Sequence, residues 1–367
     1  MKKIAIFLGH PAHFHLFKFV AQNLKEKDCD VEFLVKRKDI LEDLVKAAGY
    51  DYTIVRNKER QSSSKMSIIW QTLKMDFEVS KYILKNRPDV LIGTYAPVFS
   101  GYLGVPIIIF NEDDADAVPR FAKLGYPRAS EILAPTFCNC GKWEHKAIKY
   151  KGYQKLAYLH PNEFTPDVEV AKRYLRNENR PYILMRFSKF NAHHDENANG
   201  ISNKLAHDIV NKVKDKYDVY ISSERPLDDS LEEYRISMNP LDIHHLMTFA
   251  SLYVGDSQSM SVEAAMLGVP CIRFNSFVGK IKVGVIDELE NKFHLLNSIH
   301  TSKPDMLLKT ISEMLNDESI KDQHAMDRKR MLQEKIDVTA FITWFVENYP
   351  DSVKMMKDNP EIQNQFK

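Results

Sequence analysis

The sequence of 367 residues has few of the features that mark several classes of protein. Its four cysteines are too few for a disulfide scaffold. The 51 basic and 50 acidic residues leave a formal net charge of +1, so the basic excess of a nucleic-acid-binding protein is missing and no nucleic-acid partner is expected. No apolar run reaches the ~20 residues that span a bilayer. The 44% hydrophobic and 28% charged composition is instead that of a globular protein, and the length predicts about two domains.

The first apolar segment is predicted to be a strand. Ile4–Leu8 is short, lacks a small-residue cleavage site and ends at Gly9-His10-Pro11, which does not fit a signal peptide. Together with the low cysteine content, this segment predicts a cytoplasmic protein in a reducing compartment.

A nine-residue pattern occurs twice in the chain. Residues 103–111 read Leu-Gly-Val-Pro-Ile-Ile-Ile-Phe-Asn, and residues 267–275 read Leu-Gly-Val-Pro-Cys-Ile-Arg-Phe-Asn. A short apolar segment that ends in glycine and a small polar residue precedes each copy. The glycine of the repeat suits a helix C-cap, and the proline prevents the helix from continuing. Each copy therefore predicts the order strand, helix, Gly-Val-Pro turn, strand.

The rest of each half repeats this alternation. The first half is predicted to open with a strand, a helix and a strand, at 3–8, 15–27 and 31–35. The second half opens in the same order, at 182–187, 201–216 and 217–222. Strands that alternate with helices indicate parallel sheets. The predicted fold class is α/β, with two doubly wound domains that face each other across a cleft.

Three segments follow from this organisation. We expect residues 1–165 to form an N-terminal domain. Residues 166–336 are expected to form a C-terminal domain. Residues 337–367 include an aromatic amphipathic helix, which is expected to pack back on the N-terminal domain.

One loop stands out, because ligands of open α/β sheets bind beyond the C-terminal ends of the strands. Residues 255–265 read Gly-Asp-Ser-Gln-Ser-Met-Ser-Val-Glu-Ala-Ala, a strand end that leads into a helix start. Free N–H groups at a helix start attract phosphate, and the serines add hydroxyl donors. Glu263 lies about one turn further, where its carboxylate can accept two ribose hydroxyls. The alternative is a plain capped helix, although Met260 does not fit the first position of a capping box.

The pattern from Gly255 to Pro270 resembles the donor-binding signature of GT-B nucleotide-sugar enzymes. The resemblance implies that the diphosphate is held by Ser257, Gln258 and Ser259, and that the ribose is held by Glu263. Most of the chain resembles a microbial GT-B-like domain family of unknown function. The resemblance implies that the α/β fold has GT-B architecture with two Rossmann-like domains, of which residues 1–165 take the acceptor and residues 166–336 take the nucleotide-sugar donor. That family is related to the non-hydrolysing UDP-N-acetylglucosamine 2-epimerases and to lipid-linked glycosyltransferases of cell-wall synthesis. Further parts of the resemblance are residues 9–18, 150–159 and 182–275.

Three histidines follow the first strand: His10, His13 and His15. A histidine at a strand end can serve as an acid or base near neutral pH. Glycosyltransferases of the superfamily often have Gly-Gly-His here, whereas this chain has Gly-His-Pro-Ala-His. We expect His13 to be catalytic; the alternative is that these histidines only cap the following helix or pack on it.

Four carboxylates follow the first repeat, in the segment Asn111-Glu112-Asp113-Asp114-Ala115-Asp116. Their mutual repulsion predicts raised pKa values, as a catalytic acid or base requires. A glutamate occupies the corresponding loop of the epimerases, so the resemblance implies that Glu112 is catalytic. Residues 114–116 also match the Asp-x-Asp of metal-dependent transferases, but the two-domain repeat favours the metal-independent architecture, and no metal is expected. The alternative is an acidic helix start stabilised by the helix dipole.

The loop after the strand at 182–187 is expected to line the same cleft. Arg186 or Lys189 is placed to neutralise a departing diphosphate. His193–Asn197 resembles the His-x-x-Glu-Asn run of the epimerases without its arginines, which implies that His193 contacts the donor. A turn near Ile236 frames the base in GT-B proteins, which implies a backbone contact from Ile236.

Two further features concern partners. Lysines and tyrosines alternate between Trp143 and Tyr158, a composition that suits an anionic membrane carrying a lipid-linked acceptor. The alternative is an ordinary solvated helix edge. Cys138-Asn139-Cys140 has no second pair of thiols, so zinc is not expected.

The sequence thus predicts a glycosyltransferase with a nucleoside-diphosphate sugar, UDP-linked, as substrate and no other cofactor. The acceptor is expected to be a saccharide or a lipid-linked molecule, reached at the inner face of the membrane. Two alternatives stay open. A UDP-sugar 2-epimerase is disfavoured because residues 276–280 replace the Thr-Glu-Arg-Pro-Glu segment of the epimerases. A non-catalytic nucleotide-sugar-binding factor is the other.

Overall fold

A computed structural model of the chain describes residues 1–37, 40–56, 65–94, 100–188, 200–279 and 283–367. Within these residues, the chain forms two compact units. The first contains residues 1–163 and 334–367, and the second contains residues 164–333. No helix of the described residues combines the length and apolar character needed to cross a bilayer.

Each unit is built on one parallel sheet. The first sheet contains β1 Lys3–Leu8, β2 Asp30–Lys36, β3 Tyr52–Arg56, β4 Val90–Gly93, β5 Ile107–Phe110, β6 Glu131–Pro135 and β7 Ala147–Tyr150. Its strand order is β3-β2-β1-β4-β5-β6-β7. The second sheet contains β8 Tyr182–Phe187, β9 Asp218–Ser223, β10 Leu252–Gly255, β11 Cys271–Phe274 and β12 Asn297–Ile299. Its order is β12-β11-β10-β8-β9, so both units have the crossover topology of an α/β fold.

Helices connect the strands. In the first unit they begin with α1 Pro11–Glu26, α2 Leu41–Ala47, α3 Lys65–Asn86, α4 Pro119–Gly125 and α5 Leu156–Leu159. The second unit contains α6 Val168–Lys172, α7 Asn203–Val213, α8 Asp229–Glu232, α9 Ile243–Phe249, α10 Gln258–Met266, α11 Gly284–Asp287, α12 Pro304–Asn316 and α13 Ile320–Glu334. The chain then returns to the first unit with α14 Val338–Glu347 and α15 Asp351–Asp358. Short 3₁₀ turns include Ser100–Leu103 and Gly141–Lys146.

The central strand β1 forms where the sequence is continuously apolar. Residues 4–8 of β1 are all buried, as expected for a strand covered by helices on both faces. The helix α1 begins at Pro11, four residues before the predicted start at His15. His10 caps it, because its Nδ1 accepts a hydrogen bond from the Ala12 N–H at 3.2 Å, and proline suits the first helical position.

The repeated Leu-Gly-Val-Pro segment has the same backbone conformation in both copies. Gly104 has φ +76° and Gly268 has φ +75°, values that favour glycine. The Gly268 N–H bonds the Ala265 carbonyl, and the Val269 N–H bonds the Ala264 carbonyl, which closes the C-terminus of α10. In both copies a buried strand, β5 or β11, follows the turn.

The C-terminal segment packs within the first unit. Phe341 and Phe345 of α14 are buried, and the Thr339 hydroxyl donates to the Ala157 carbonyl of α5 at 2.6 Å. The Lys2 Nζ donates to three carbonyls near the end of α14, those of Val346, Glu347 and Tyr349.

Glu163, the last residue before the chain enters the second unit, has an environment that disfavours its charged form. Partial burial, and then the charge of Asp337, raises the pKa of Glu163 to about 7, while Lys18 opposes the shift. The same kind of burial lowers the pKa of Lys18 to about 8. Ionised Glu163 is therefore expected to cost the folded first unit free energy at neutral pH.

We expect Glu163→Gln to stabilise the first unit at high pH. Because the folded pKa lies above the unfolded value, the cost of ionising Glu163 grows from about pH 4.5 to about pH 7 and is constant above. After allowance for solvent screening, the free energy of unfolding is expected to rise by ~1 kcal/mol at pH 8 and by little near pH 4.5. Thermal unfolding of both proteins between about pH 4.5 and pH 8 measures this difference in the free energy of unfolding. Glu169→Gln, at an exposed glutamate, is the control. A shift that does not change with pH would contradict the assignment.

Candidate functional site

Three adjacent strands of the second sheet, β10, β8 and β9, end side by side. Gly255 of β10 is in register with Arg186 of β8, which is in register with Ser222 of β9. The carboxyl ends of parallel strands lie at one edge of a sheet, so these residues form a row at that edge. The helix α10 starts beside the row.

The first turn of α10 presents free backbone donors. Ser257 is the N-cap: its hydroxyl accepts the Met260 N–H at 3.4 Å, and its carbonyl accepts the Ser261 N–H and hydroxyl. The N–H groups of Gln258 and Ser259 have no acceptor among the described residues. The first turn contains no acidic residue, so these donors and the helix dipole form a position suited to an anion.

Glu263 is held in a buried position on α10. It is 8% exposed; its Oε2 lies 3.2 Å from Nε2 of His244, and its Oε1 accepts the Ser259 hydroxyl at 3.5 Å. His244 comes from α9 and is also buried. A buried carboxylate is tolerated when polar groups surround it, and these contacts fix its orientation toward the start of α10. The sequence located Glu263 on this helix but not its contact with His244.

Asp256 joins two segments of the unit and was not predicted as a site residue. Its Oδ1 accepts the Ser188 N–H at 2.7 Å, and its Oδ2 accepts the Ile201 N–H at 3.3 Å. Burial raises the pKa of Asp256 to about 6, although both N–H donors and Arg225 oppose the shift. The carboxylate thus fixes the strand end of β8 and the start of the segment before α7. Its position directly after a strand was the available signal, because short acidic residues favour such junctions.

Arg186 is anchored by neighbours on β9. It donates from Nη1 to the Ser222 hydroxyl at 2.7 Å and from Nη2 to Glu224, while its buried Nε has no partner in the described part of the chain. Glu224 would therefore compete with a diphosphate for the guanidinium of Arg186. The sequence did not reveal this ion pair.

A second arginine lies behind the start of α10. Arg273 of β11 is 4% exposed, and its Nη1 donates to Oε1 of Gln258 at 3.2 Å. Because the amide oxygen of Gln258 faces Arg273, its NH₂ group is turned the other way. The contact orients Gln258 as a donor beside the free N–H groups of α10.

Three more residues were predicted to contact the nucleotide-sugar donor: Ile236, His193 and Lys189. The Ile236 N–H donates to the Ile221 carbonyl at 3.0 Å, so the backbone amide is already used and only the carbonyl is available for a base. His193 and Lys189 lie outside the described residues.

His13 lies at the corresponding edge of the first sheet. Its Nδ1 accepts the Gly9 N–H at 3.2 Å. The hydroxyl of Thr94, which follows β4, lies 2.8 Å from Nδ1 and 2.7 Å from Nε2. The ring is thus anchored between the ends of β1 and β4.

Glu112 lies at the same edge, after β5. It is held by the next segment of the unit: Oε1 accepts the Gln154 N–H at 3.1 Å, and Oε2 is 3.5 Å from Lys155 Nζ. Within this acidic loop, partial desolvation, followed by the charge of Glu112, raises the pKa of Asp113. The Asn139 N–H binds Asp114 at 2.7 Å. The ion pair of Glu112 with Lys155 is a long-range contact that the sequence pattern did not reveal.

The segment from Trp143 to Tyr158 does not form the basic, aromatic surface that its composition suggested. Its three tyrosines are buried, at Tyr150, Tyr153 and Tyr158. Its lysines are engaged: Lys146 donates to backbone carbonyls, Lys149 to Glu144, Lys151 to Glu361 and Lys155 to Glu112. The side chains that suggested a membrane contact at this segment therefore face the protein, and a peripheral membrane contact of the protein stays a prediction.

The cysteines are buried and reduced. All four are free, and burial raises the pKa values of the Cys138 and Cys140 thiols. In the described ranges, no group of three or more His, Cys, Asp or Glu side chains is arranged to hold a metal ion.

Solved structures share the fold at low sequence identity. A putative UDP-N-acetylglucosamine 2-epimerase from Listeria monocytogenes has a TM-score of 0.67 at 14% identity, over 95% of this chain and 97% of its own. The S. aureus MnaA–UDP co-structure has a TM-score of 0.66 at 16% identity, over 96% and 98%. Acinetobacter baumannii MurG has a TM-score of 0.59 at 11% identity, over 95% and 99%. The predicted fold class, α/β with GT-B architecture, is confirmed.

A search of curated proteins found no match. A family model covers nearly the whole chain, in agreement with the predicted resemblance. The chain belongs to the DUF354 family of proteins of unknown function, whose model matches residues 2–342.

Proposed function

We propose that this protein is a metal-independent GT-B glycosyltransferase that moves a sugar from a UDP-linked donor to a surface-polysaccharide or lipid-linked acceptor. The observation that carries the proposal is the buried Glu263, oriented by His244 and Ser259 beside a helix start at which two N–H groups have no acceptor among the described residues. A carboxylate beside such donors is complementary to a nucleoside diphosphate, which presents hydroxyls next to phosphates.

Each part of the donor has a proposed partner in the second unit. The diphosphate receives the N–H groups of Gln258 and Ser259, and Gln258 adds its side-chain NH₂. The ribose hydroxyls donate to Glu263. Arg186 approaches the diphosphate from the end of β8, and the Ile236 carbonyl accepts from the N3–H of uracil. His193 is the remaining predicted donor contact.

We assign the catalytic base to the first unit. The acceptor hydroxyl attacks the anomeric carbon of the sugar and loses its proton, while the bond from that carbon to the diphosphate breaks. Glu112 or His13 is the base. The positive end of α10 and Arg186 stabilise the leaving diphosphate, which is the contribution required when no metal neutralises it.

The epimerase is the second candidate, because one protein with this fold is a putative UDP-N-acetylglucosamine 2-epimerase, that of Listeria monocytogenes. An epimerase eliminates and re-adds the diphosphate without an acceptor. The replacement of the epimerases' Thr-Glu-Arg-Pro-Glu segment by residues 276–280 favours the transferase. A non-catalytic binding factor is the third candidate, and it would bind the nucleotide without turnover.

Proton and phosphorus NMR of the protein with UDP-N-acetylglucosamine alone tests these candidates. The transferase is expected to broaden the uridine signals and to leave the donor intact, or to release UDP slowly by hydrolysis. A new epimer signal would contradict the transferase and establish the epimerase. Binding without turnover, even when candidate acceptors are supplied, would favour the binding factor. Absence of uridine broadening would contradict the site itself.

A further inference from the structure

One face of the first unit exposes a group of large apolar side chains. Thirteen large hydrophobic residues of the described chain are exposed, and six of them lie on or beside two helices of this unit. They are Trp70, Leu73, Phe77 and Leu84 of α3, Tyr102 of the 3₁₀ turn Ser100–Leu103, and Leu124 of α4. We call this surface the α3–α4 face.

The α3–α4 face is continuous through packing within the first unit. Residues of α3 and α4 share one hydrophobic core, to which Met75, Val79 and Ala122 contribute. Tyr102 follows α3 in the chain, and the guanidinium of Arg128, three residues after α4, lies 5.3 Å from the centre of its ring. The two helices and the turn therefore cover the same side of the first sheet.

The helix α3 is apolar on two opposite sides. Its inner side buries Met75, Val79 and Ile83, which are spaced by four residues and pack on the core. Its outer residues at 70, 73, 77 and 84 are spaced by three, four and seven residues, so they form one stripe. Trp70, Phe77 and Leu84 are 62%, 66% and 64% exposed. A surface helix of a soluble domain usually keeps its outer side polar, so this stripe is suited to an apolar partner.

Positive charge borders the stripe. Over residues 70–86 and 119–128 the exposed or half-exposed charged side chains include one acid, Glu78. The bases number six: Lys74, Lys81, Lys85, Arg120, Lys123 and Arg128. On a helix of 3.6 residues per turn, the three lysines of α3 lie along one edge of the stripe. Aromatic and aliphatic side chains bordered by lysines and arginines are the composition of a surface that lies in the headgroup region of an anionic membrane.

We propose that the α3–α4 face docks the first unit on an anionic lipid bilayer, with Trp70, Phe77 and Leu84 inserted among the headgroups. A second copy of the chain fits less well. A symmetric dimer would place this face against itself and bring the six basic side chains of one copy against those of the other. The proposal goes beyond the proposed function and does not depend on it, because docking needs no nucleotide. It would place the protein where a lipid-linked acceptor is found.

Vesicle flotation of the full chain without nucleotide tests the proposal. Wild-type protein is expected to float with phosphatidylcholine vesicles that contain about 30% phosphatidylglycerol, and to float poorly with pure phosphatidylcholine. Binding is expected to weaken in ~0.5 M NaCl, because salt screens the lysines. The double variant Phe77→Glu/Leu84→Glu is expected to bind at least ~10-fold more weakly.

Two matched variants separate docking from a general effect of charge. Met355→Glu introduces an acid at an exposed apolar position of α15 in the same unit, and Lys354→Glu is the charge-matched control for Lys81→Glu. The α15 variants are expected to bind as the wild type does, whereas Lys81→Glu weakens binding. Circular dichroism and thermal unfolding confirm that each variant is folded.

Trp70 provides a direct reporter of insertion. Its fluorescence is expected to shift to the blue on binding and to be quenched by brominated lipid, and Trp70→Phe should remove most of this signal. Equal flotation of the wild type and the double variant would overturn the proposal, and so would absence of flotation at any lipid composition. A dimer in sedimentation analysis that dissociates in the double variant would assign the face to a second copy instead.

Discussion

The alanine variant of Glu263 is expected to bind UDP ~100-fold more weakly than the wild type, since two charge-assisted hydrogen bonds to the ribose are lost. The variant also removes one contact of the buried His244, whose Nε2 lies 3.2 Å from Oε2 of Glu263. A further loss of ~1 kcal/mol in the free energy of unfolding is therefore expected. Titration calorimetry measures the affinity, and thermal unfolding measures the stability.

Two comparisons make this result specific. Glu263→Gln keeps the volume and one acceptor, so its affinity is expected to fall by only ~10-fold. Glu313→Ala removes an exposed glutamate of α12 in the same unit and should change neither quantity. Unchanged UDP affinity in Glu263→Ala would show that the ribose is bound elsewhere. Equal losses of UDP and uridine affinity, with stability lowered by no more than ~1 kcal/mol, would locate the defect at the ribose and not in the fold.

The second large effect is expected from Gly255→Ala at the end of β10. Residues 253 and 255 point to the same face of the strand, and an alanine Cβ would contact the Tyr253 hydroxyl and lie 2.7 Å from Cζ of its ring. Tyr253 is fully buried and cannot move without displacing the core. We expect a loss of ~2–3 kcal/mol in the free energy of unfolding, and weaker UDP binding because the start of α10 shifts.

A double variant tests whether the tyrosine ring is the cause. Tyr253→Leu removes the contacting atoms, so Gly255→Ala/Tyr253→Leu should be at least ~1 kcal/mol more stable than the sum of the two single effects predicts. Gly125→Ala in α4 is the control, because its Cβ would meet Ile109 at an ordinary 3.4 Å. Strictly additive effects at 253 and 255 would show that the glycine is needed for another reason.

Much of the fold followed from the sequence because its signals are local. The strand predicted at 182–187 is observed as Tyr182–Phe187, and each copy of the repeat forms the predicted Gly-Val-Pro turn before a strand. The errors arose at helix ends. Pro11 was read as part of a loop, although proline is common at the first helical position. The second unit's helix predicted at 201–216 is shorter, Asn203–Val213.

The site was predicted less completely because its geometry depends on contacts between distant residues. The loop at 255–265 was identifiable, since a strand end followed by serines and a glutamate is a local pattern. The contacts of Glu263 with His244, of Glu112 with Lys155 and of Asp256 with Ser188 join residues 19 to 68 positions apart. The hydrophobic periodicity of the sequence carries no information about these long-range hydrogen bonds. The tyrosines of residues 143–158 show the same limit, because composition does not say which side of a segment is buried.

The most direct test of the central claim is a crystal structure of the protein with UDP. The account predicts phosphate oxygens within ~3.2 Å of the Gln258 and Ser259 N–H groups and ribose hydroxyls within ~3 Å of the Glu263 carboxylate. UDP bound away from the start of α10, or bound there with the ribose turned from Glu263, would contradict the account.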